Sequence, residues 1–446
     1  MNTTKNFHWL LAVLAMAVPA AAQSAELVRV NAPGHVAIAP QVAVDASGAV
    51  NVVWLDKGTK EQPVEQPKYE GHGHSHMAAA DVYFARSTDG GATFSAPMRV
   101  NRQEGEAWGF AVSRPQIDVD SKGRIHVFYA ANELSALTKL PIAVSYHVRS
   151  VDGGRTFSAP VRVNEIVDWD SSEAVHGGLS QAHVFGTMGV APDDSVHAYW
   201  IDARNMKPDG SNAMVYGAVS RDGGETFEKE HKVFEGEVCP CCQLTLDFLD
   251  DGAVLIGSRR ATRENFRDST VARSTDGGRT FTERTRLGGK HWQIEGCPLK
   301  PTVLAHERDN VYAAVFNGAY EPAGVQFFRS TDAGRSFSEP TALDPAAAVS
   351  DAPAMTRIGD HLFVAWHAKA GGERRIHYRV ASDAGTGWSE VYEIDAPGLT
   401  GNSSYPSVAA LGTNEVVLAW QQGDDVVTTR VALEGAPAAP TLTSKR

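Results

Sequence analysis

Along this chain short apolar stretches alternate with turn residues, and two patterns recur. The first is a strand that follows a Gly-type turn and usually ends in an aromatic residue. It appears at Val50–Trp54, Arg124–Tyr129, Val196–Trp200, Ala253–Gly257, Val311–Phe316, Leu362–Trp366 and Val416–Trp420. Short runs of this composition, bounded by Gly, Asp, Asn and Ser, read as β-strands. The second pattern is a turn, STDGGATF at 87–94. It returns as SVDGGRTF at 150–157, SRDGGETF at 220–227, STDGGRTF at 274–281 and STDAGRSF at 330–337, with a weaker copy, ASDAGTGW, at 381–388. The aspartates of these turns are Asp89, Asp152, Asp222, Asp276, Asp332 and Asp383. A carboxylate at that position can accept backbone N–H bonds and close a tight turn, and glycine supplies the left-handed backbone angle. The closing aromatic is expected to tuck between sheets.

A repeat of roughly 50 to 70 residues implies a radial or linear array of similar units. There are seven strand patterns and six turn motifs. The stretch after a turn often reads like Pro97–Asn101 or Pro160–Asn164, both ending in Arg-Val-Asn. Leu27–Asn31 has the same ending. It is therefore expected to supply the outer strand of the last unit, beside 426–433. That places the missing seventh turn where the chain ends and begins. The fold class expected is all-β: a β-propeller of four-stranded antiparallel blades, seven in number with six as the alternative, closed by the N-terminal strand.

Composition narrows the function classes. The 446 residues are 43% hydrophobic, enough for a sizeable core, and carry 41 Lys+Arg against 53 Asp+Glu, a formal charge of −12. No basic stripe of the kind that phosphate backbones require is present, so nucleic acid is not an expected partner. Lys5, the apolar stretch Trp9–Val18 and the small residues Ala20–Ala22 have the order of an export signal. Residues 1–22 are read as that signal, 23–434 as one propeller domain and 435–446 as a flexible tail. Past residue 22 no apolar run reaches the roughly 20 residues of a membrane span. The expected compartment is the periplasm or the cell exterior, where disulfides can form.

The six turns look like the Asp-box, or bacterial neuraminidase repeat, and the chain resembles the sialidase-like superfamily of β-propellers. The resemblance covers nearly all of the chain after residue 22. It implies that the Asp-boxes are structural and lie on the face opposite the substrate site. It also implies a glycan or another anionic, hydroxyl-rich ligand, recognised or hydrolysed. The Arg-Ile-Pro motif of known sialidases is absent. Its nearest echo is Ser113-Arg114-Pro115, and no Tyr–Glu nucleophile pair can be assigned by spacing.

Candidate site residues cluster in the connections expected on that opposite face. Asp202, Arg204, Arg259, Arg260, Tyr320 and Glu321 are candidates for acid/base and electrostatic roles. Arg114, Arg267, His367 and Trp292 are candidates for ligand contacts. A third group points to metal or redox chemistry. His72, His74 and His76 alternate in one loop, and all four cysteines, Cys239, Cys241, Cys242 and Cys297, fall in two neighbouring connections, with His291 close by in sequence. Such residues suit copper or zinc. Four cysteines in an exported chain also allow three disulfide connectivities, and a Cys242–Cys297 bridge is the expected one. Three functions follow: a glycan-recognising or glycan-hydrolysing protein, a metal- or redox-linked protein, or a non-catalytic interaction scaffold.

Overall fold

The computed structural model describes residues 26–65, 79–134, 141–165, 183–207, 212–296, 298–369, 372–382, 385–394 and 400–433. Their regular secondary structure consists of antiparallel β-strands, apart from one residue in a 3₁₀ turn. His183–Val190 pairs with Val196–Asp202, which pairs with Met214–Ser220, which pairs with His231–Glu235. Four-stranded units of the same order begin at Thr245, Thr302 and Val349, the last with a fifth short strand. Two more begin at His35 and Gln116 and are joined through Ala107–Trp108 into one nine-stranded sheet. The strands from Ser403 to Ala432 take Val28–Arg29 as their fourth, with Val28 opposite Thr428 and Arg29 opposite Val427.

The first strands of these units pack against one another in chain order. Ser403–Leu411 lies both against Val349–Ile358 and against His35–Val44. Apolar clusters fill the spaces between neighbouring units. Phe84 shares one with Val127, Phe128 with Trp200, Tyr199 with Ile256 and Leu255 with Phe328. Phe327 shares one with Trp366, Phe363 with Trp420, and Val417 with Val50. Trp54, Trp200, Trp366 and Trp420, each in the second strand of its unit, are completely buried. Truncating a buried tryptophan to alanine costs about 3–5 kcal/mol, so these positions dominate the core.

The Asp-boxes act as the sequence suggests. In the first, Asp89 accepts the Thr93 N–H at 2.9 Å and the Ser87 and Thr93 hydroxyls at 2.6 Å each, while Ser87 Oγ accepts the Gly91 N–H at 2.7 Å. The copies at Asp152, Asp222, Asp276 and Asp332 repeat the geometry, and Asp383 lies outside the described residues. The Ser87 hydroxyl and then the Thr93 hydroxyl hold the Asp89 carboxyl well below the usual carboxylate range. Gly154 must be glycine: its φ is +81°, and a Cβ there would meet the Phe84 ring at 2.4 Å. The closing aromatics Phe94, Phe157, Phe227, Phe281, Phe337 and Trp388 each pack on a different inter-sheet cluster. The cluster between the last two sheets takes Leu27 instead.

Register places the boxes at one end of the sheets. Val190 pairs with Val196, and Val196 pairs with Ser220. A box therefore lies where the first strand finishes, and the starts of the first strands occupy the opposite end. The Arg-Val-Asn endings also have a common role. Asn101 Oδ1 accepts the Val82 N–H, Asn164 Oδ1 that of Ser145 and Asn31 Oδ1 that of Val426, each at 2.8 Å. Replacing Asn31 by Ala leaves the buried Val426 N–H without its acceptor, at a cost of about 1–3 kcal/mol. Thermal unfolding of Asn31→Ala is expected to show a lowered midpoint, similar to that of Asn101→Ala. An unchanged midpoint for Asn31→Ala alone would mean that the Val28–Arg29 pairing adds nothing to stability.

Candidate functional site

Five first strands bring their beginnings to one small cavity. Arg114 and Gln243 each stand two residues before a first strand, as does Lys300, while Asp351 and Tyr405 lie near the starts of theirs. Together they line a cavity of about 120 Å³. The backbone here departs from regular pairing. The register slips between Ile38 and Gln41, Val184 and Thr187, Asp351 and Ala354, and Ser404 and Ser407. Within those slips Ala39, Phe185, Ala352 and Tyr405 have φ of 56°, 50°, 49° and 54°. A bulge re-aims side chains at a sheet end, and a non-glycine residue held in the left-handed region costs about 1–3 kcal/mol. The same strain recurs near the starts of four first strands; Ala352 and Tyr405 line the cavity, while Ala39 and Phe185 are buried in inter-sheet clusters.

Charge at the cavity is mixed, with one positive charge in excess among Arg114, Lys300 and Asp351. Arg114 is buried. It donates to the Pro406 carbonyl at 3.1 Å and lies 5.4 Å from the Tyr405 ring centroid. Burial pushes its guanidinium down to about 10. Lys300 Nζ pairs with Asp351 Oδ2, and His367 Nε2 is 3.8 Å from the same oxygen. The Tyr405 N–H donates to His367 Nδ1 at 3.3 Å, which leaves the histidine's proton on Nε2. Burial pushes His367 down to about 4, so it is neutral at ordinary pH. Asp351 Oδ1 is buried and has no hydrogen-bond partner among the described residues.

Lys300 joins this cavity to a second feature, a knot of thiols. Its backbone N–H faces the Cys242 sulfur, and its carbonyl accepts from Arg259 Nε at 3.2 Å. The sulfurs of Cys239, Cys241 and Cys242 all lie within 4.8 Å of one another, with Cys239 at 3.6 Å from Cys241 and 3.3 Å from Cys242. A disulfide bond is about 2.05 Å, so these three are not bridged to each other. The side chains are 1%, 9% and 2% exposed. Burial alone would raise the Cys242 thiol. Hydrogen bonds with Cys239 and Cys241, the Arg259 charge and the Lys300 N–H instead hold it well below its ordinary value.

The sequence candidates divide. Arg114 lines the cavity, His367 stands behind it against Asp351 and Tyr405, and three of the four cysteines meet at the thiol knot. Arg259 is fully buried beside the thiols. Its guanidinium also donates to the Arg267 and Phe316 carbonyls at 2.5 and 3.1 Å and lies 5.1 Å from the Trp292 ring. Asp202 and Arg204 form their own cluster, with Arg204 bidentate to Asp202 at 2.8 Å, bonded to Glu230 at 2.5 Å and stacked over Tyr216. Arg260 pairs with Glu237. Tyr320 is buried, its hydroxyl accepting the Lys290 N–H at 3.2 Å, and Glu321 is exposed. Arg267 donates to the Gly296 carbonyl at 3.3 Å. His291 is not part of the thiol group. It bonds to Asp268 at 2.5 Å and stacks on Phe266, and the same carboxylate accepts the Trp292 N–H. His72, His74, His76 and Cys297 lie outside the described residues, and with them the expected Cys242–Cys297 bridge.

Lys300, Asp351, Tyr405 and Gln243 were not read from the sequence as site residues. A signal for most of them exists in the prolines that punctuate the strand starts: Ala39-Pro40, Arg114-Pro115, Lys300-Pro301, Ala352-Pro353 and Tyr405-Pro406. Proline lacks an N–H and restricts the residue before it, so its recurrence marks where regular pairing breaks and side chains turn inward.

No curated protein matches the chain in sequence. Among solved structures it is similar to a Dyadobacter fermentans protein of unknown function, with 14% identity and a TM-score of 0.53 over 92% of this chain and 98% of that one. It is also similar to a Hadza microbial sialidase, with 12% identity and a TM-score of 0.50 over 92% and 96% of the two chains. At such identities the likeness is one of fold, and with the antiparallel units described above it makes this a sialidase-like β-propeller architecture. The BNR repeat-like domain matches residues 180–417, more than half of the sequence. The chain belongs to the BNR repeat-like family.

Proposed function

We propose that this protein recognises an acidic, hydroxyl-rich ligand, such as a sugar acid within a glycan, at the mouth where the first strands begin. The reading takes residues 1–22 as an export signal, 23–434 as a single ring of seven blades closed by the Val28–Arg29 pairing, and 435–446 as a tail. The protein then works in the periplasm or outside the cell, and its ligand face is the one opposite the Asp-boxes.

The observation that carries this reading is the convergence of Arg114, Lys300 and Asp351, from three different sheets, on one cavity. Arginine and lysine give charge-assisted hydrogen bonds to a carboxylate. The unpartnered Asp351 Oδ1 is an acceptor for a ligand hydroxyl, and burying it without a donor is costly. The Tyr405 ring offers a flat apolar wall of the kind that packs on a sugar. Glycoside hydrolysis usually takes two carboxylates. Asp351 is the one carboxylate among the described residues lining this cavity, so recognition is the better supported half of the reading.

Calorimetric titration with N-acetylneuraminic acid, glucuronic acid and uncharged galactose tests it. The acids are expected to bind and galactose is not. Arg114→Met and Lys300→Met are each expected to weaken binding of the acids at least tenfold, about 1.4 kcal/mol. Circular dichroism of both variants separates loss of binding from loss of fold. Absence of binding by either acid at about millimolar concentration would reject an acidic-sugar site.

Protonation gives a second test. His367 is neutral above about pH 4, and Arg114 keeps its charge up to about pH 10. Affinity for the acids is therefore expected to be flat from about pH 5 to 9 and to fall near pH 10, as Arg114 loses the charge that binds the carboxylate. A transition centred near the ordinary histidine value, about 6.5, would show that His367 titrates within reach of the ligand and would contradict its burial as a neutral group.

A further inference from the structure

The thiol knot lies beside the proposed ligand cavity and contributes no lining residue to it. We infer that Cys239, Cys241 and Cys242 form a three-thiolate site for a thiophilic d10 cation, with Zn²⁺ as the ion it fits best.

Distance is the first argument. Zinc–sulfur bonds of about 2.3 Å at tetrahedral angles set neighbouring sulfurs about 3.8 Å apart. The observed separations of 3.6 and 3.3 Å, within a group spanning no more than 4.8 Å, sit near that value. They are far from the 2.05 Å of a disulfide. Three buried sulfurs at such spacing need only small side-chain rotations to face one ion.

The second argument is that the segment is held in place from several directions. The Cys239 N–H donates to the Arg259 carbonyl at 2.9 Å, and Val238 bridges Arg260. After the last cysteine, the Gln243 side chain donates to the carbonyls of Arg114 and Gly186 at 3.1 and 3.0 Å, and the Leu244 N–H to that of Phe185 at 2.9 Å. Pro240, between the first two cysteines, restricts the backbone further. The three sulfurs are thus positioned by contacts with two other sheets, and ordering them does not fall to the metal.

Charge selects the ion. Three thiolates with a divalent cation carry −1, which the buried Arg259 guanidinium neutralises. A monovalent cation such as Cu⁺ would leave −1 in a buried place even after Arg259 is counted, and an unpaired buried charge is expensive. Hard cations such as Ca²⁺ and Mg²⁺ prefer oxygen ligands. Binding is written as three thiols losing three protons to solvent while water ligands leave the ion and three metal–sulfur bonds form, a retained water completing the four-coordinate shell, with no change of oxidation state.

The experiment uses the full chain, reduced and then freed of reductant and metal under anaerobic conditions. Titration with Co²⁺ is expected to give thiolate-to-cobalt charge-transfer bands with intense visible bands at one ion per chain. Zn²⁺ should displace the cobalt stoichiometrically. Cys242→Ser and Cys241→Ser should each weaken Zn²⁺ binding at least tenfold, with unfolding curves recorded to confirm that both variants fold. A variant with His72, His74 and His76 all changed to Ala should keep the bands, which separates this site from the histidine loop. Cobalt spectra without thiolate bands would overturn the proposal. So would Zn²⁺ affinity equal in wild type and both cysteine variants, and displacement of Zn²⁺ by equimolar Cu⁺ would overturn the assignment of Zn²⁺ as the ion that fits best.

Discussion

Every sheet in this protein is apolar on both faces, and that constraint governs the rest. A four-stranded unit with completely buried residues such as Trp200 and Tyr199 pointing to opposite sides cannot be stable alone. It needs a neighbour on each face, and that neighbour needs another. An array of such sheets ends either at caps that cover the outermost faces or by meeting itself. Here Val417 of the last unit shares an apolar cluster with Val50 of the first, so each covers part of the other's apolar surface. The Asp-boxes serve the same constraint. Each ties down a turn through its carboxylate and delivers an aromatic into an inter-sheet space, which is why the motif repeats while the intervening sequence varies.

Packing of this kind leaves the two ends of the sheets with different freedom. At the box end, turns are short and closed by internal hydrogen bonds. At the other end, connections are long and four of the first strands carry bulges. Strain in the left-handed region at Ala39, Phe185, Ala352 and Tyr405 is tolerated because rigid sheets on both sides over-determine the backbone. The buried polar groups Arg114, Asp351 and His367 accumulate at that same end. A rigid scaffold with a polar, strained mouth is a common arrangement for ligand recognition.

Lys300 ties the two features of the mouth together. Its ammonium reaches Asp351 in the cavity, while its backbone faces Cys242 and Arg259 beneath. The thiol knot therefore buttresses one wall of the cavity. Arg259, a candidate by residue type for an electrostatic catalytic role, instead crosses between segments and gives its hydrogen bonds to carbonyls. Arg204 shows the same logic, clamped between Asp202 and Glu230. In a tightly packed set of sheets most buried arginines hold strands together, and only those without a full complement of partners remain available to a ligand.

The sequence by itself determined the all-β class, the repeat and the structural role of the boxes, because those depend on local chemistry: alternation, tight turns and an aromatic at a set offset. It also marked the kinship of Leu27–Asn31 with the outer strands, since Asn31, Asn101 and Asn164 make the same side-chain bond to the adjoining strand. Of the candidate site, it singled out Arg114, His367 and the cysteines by residue type. The tertiary structure alone decided which of them meet. Lys300, Asp351 and Tyr405 belong to three sheets separated by about 50 residues each, and His291, near the cysteines in sequence, turns to Asp268 instead. Proximity between neighbouring sheets depends on how strand starts are angled by bulges and on which neighbour satisfies each buried charge. Those are properties of the packed assembly, which no local window of the chain contains.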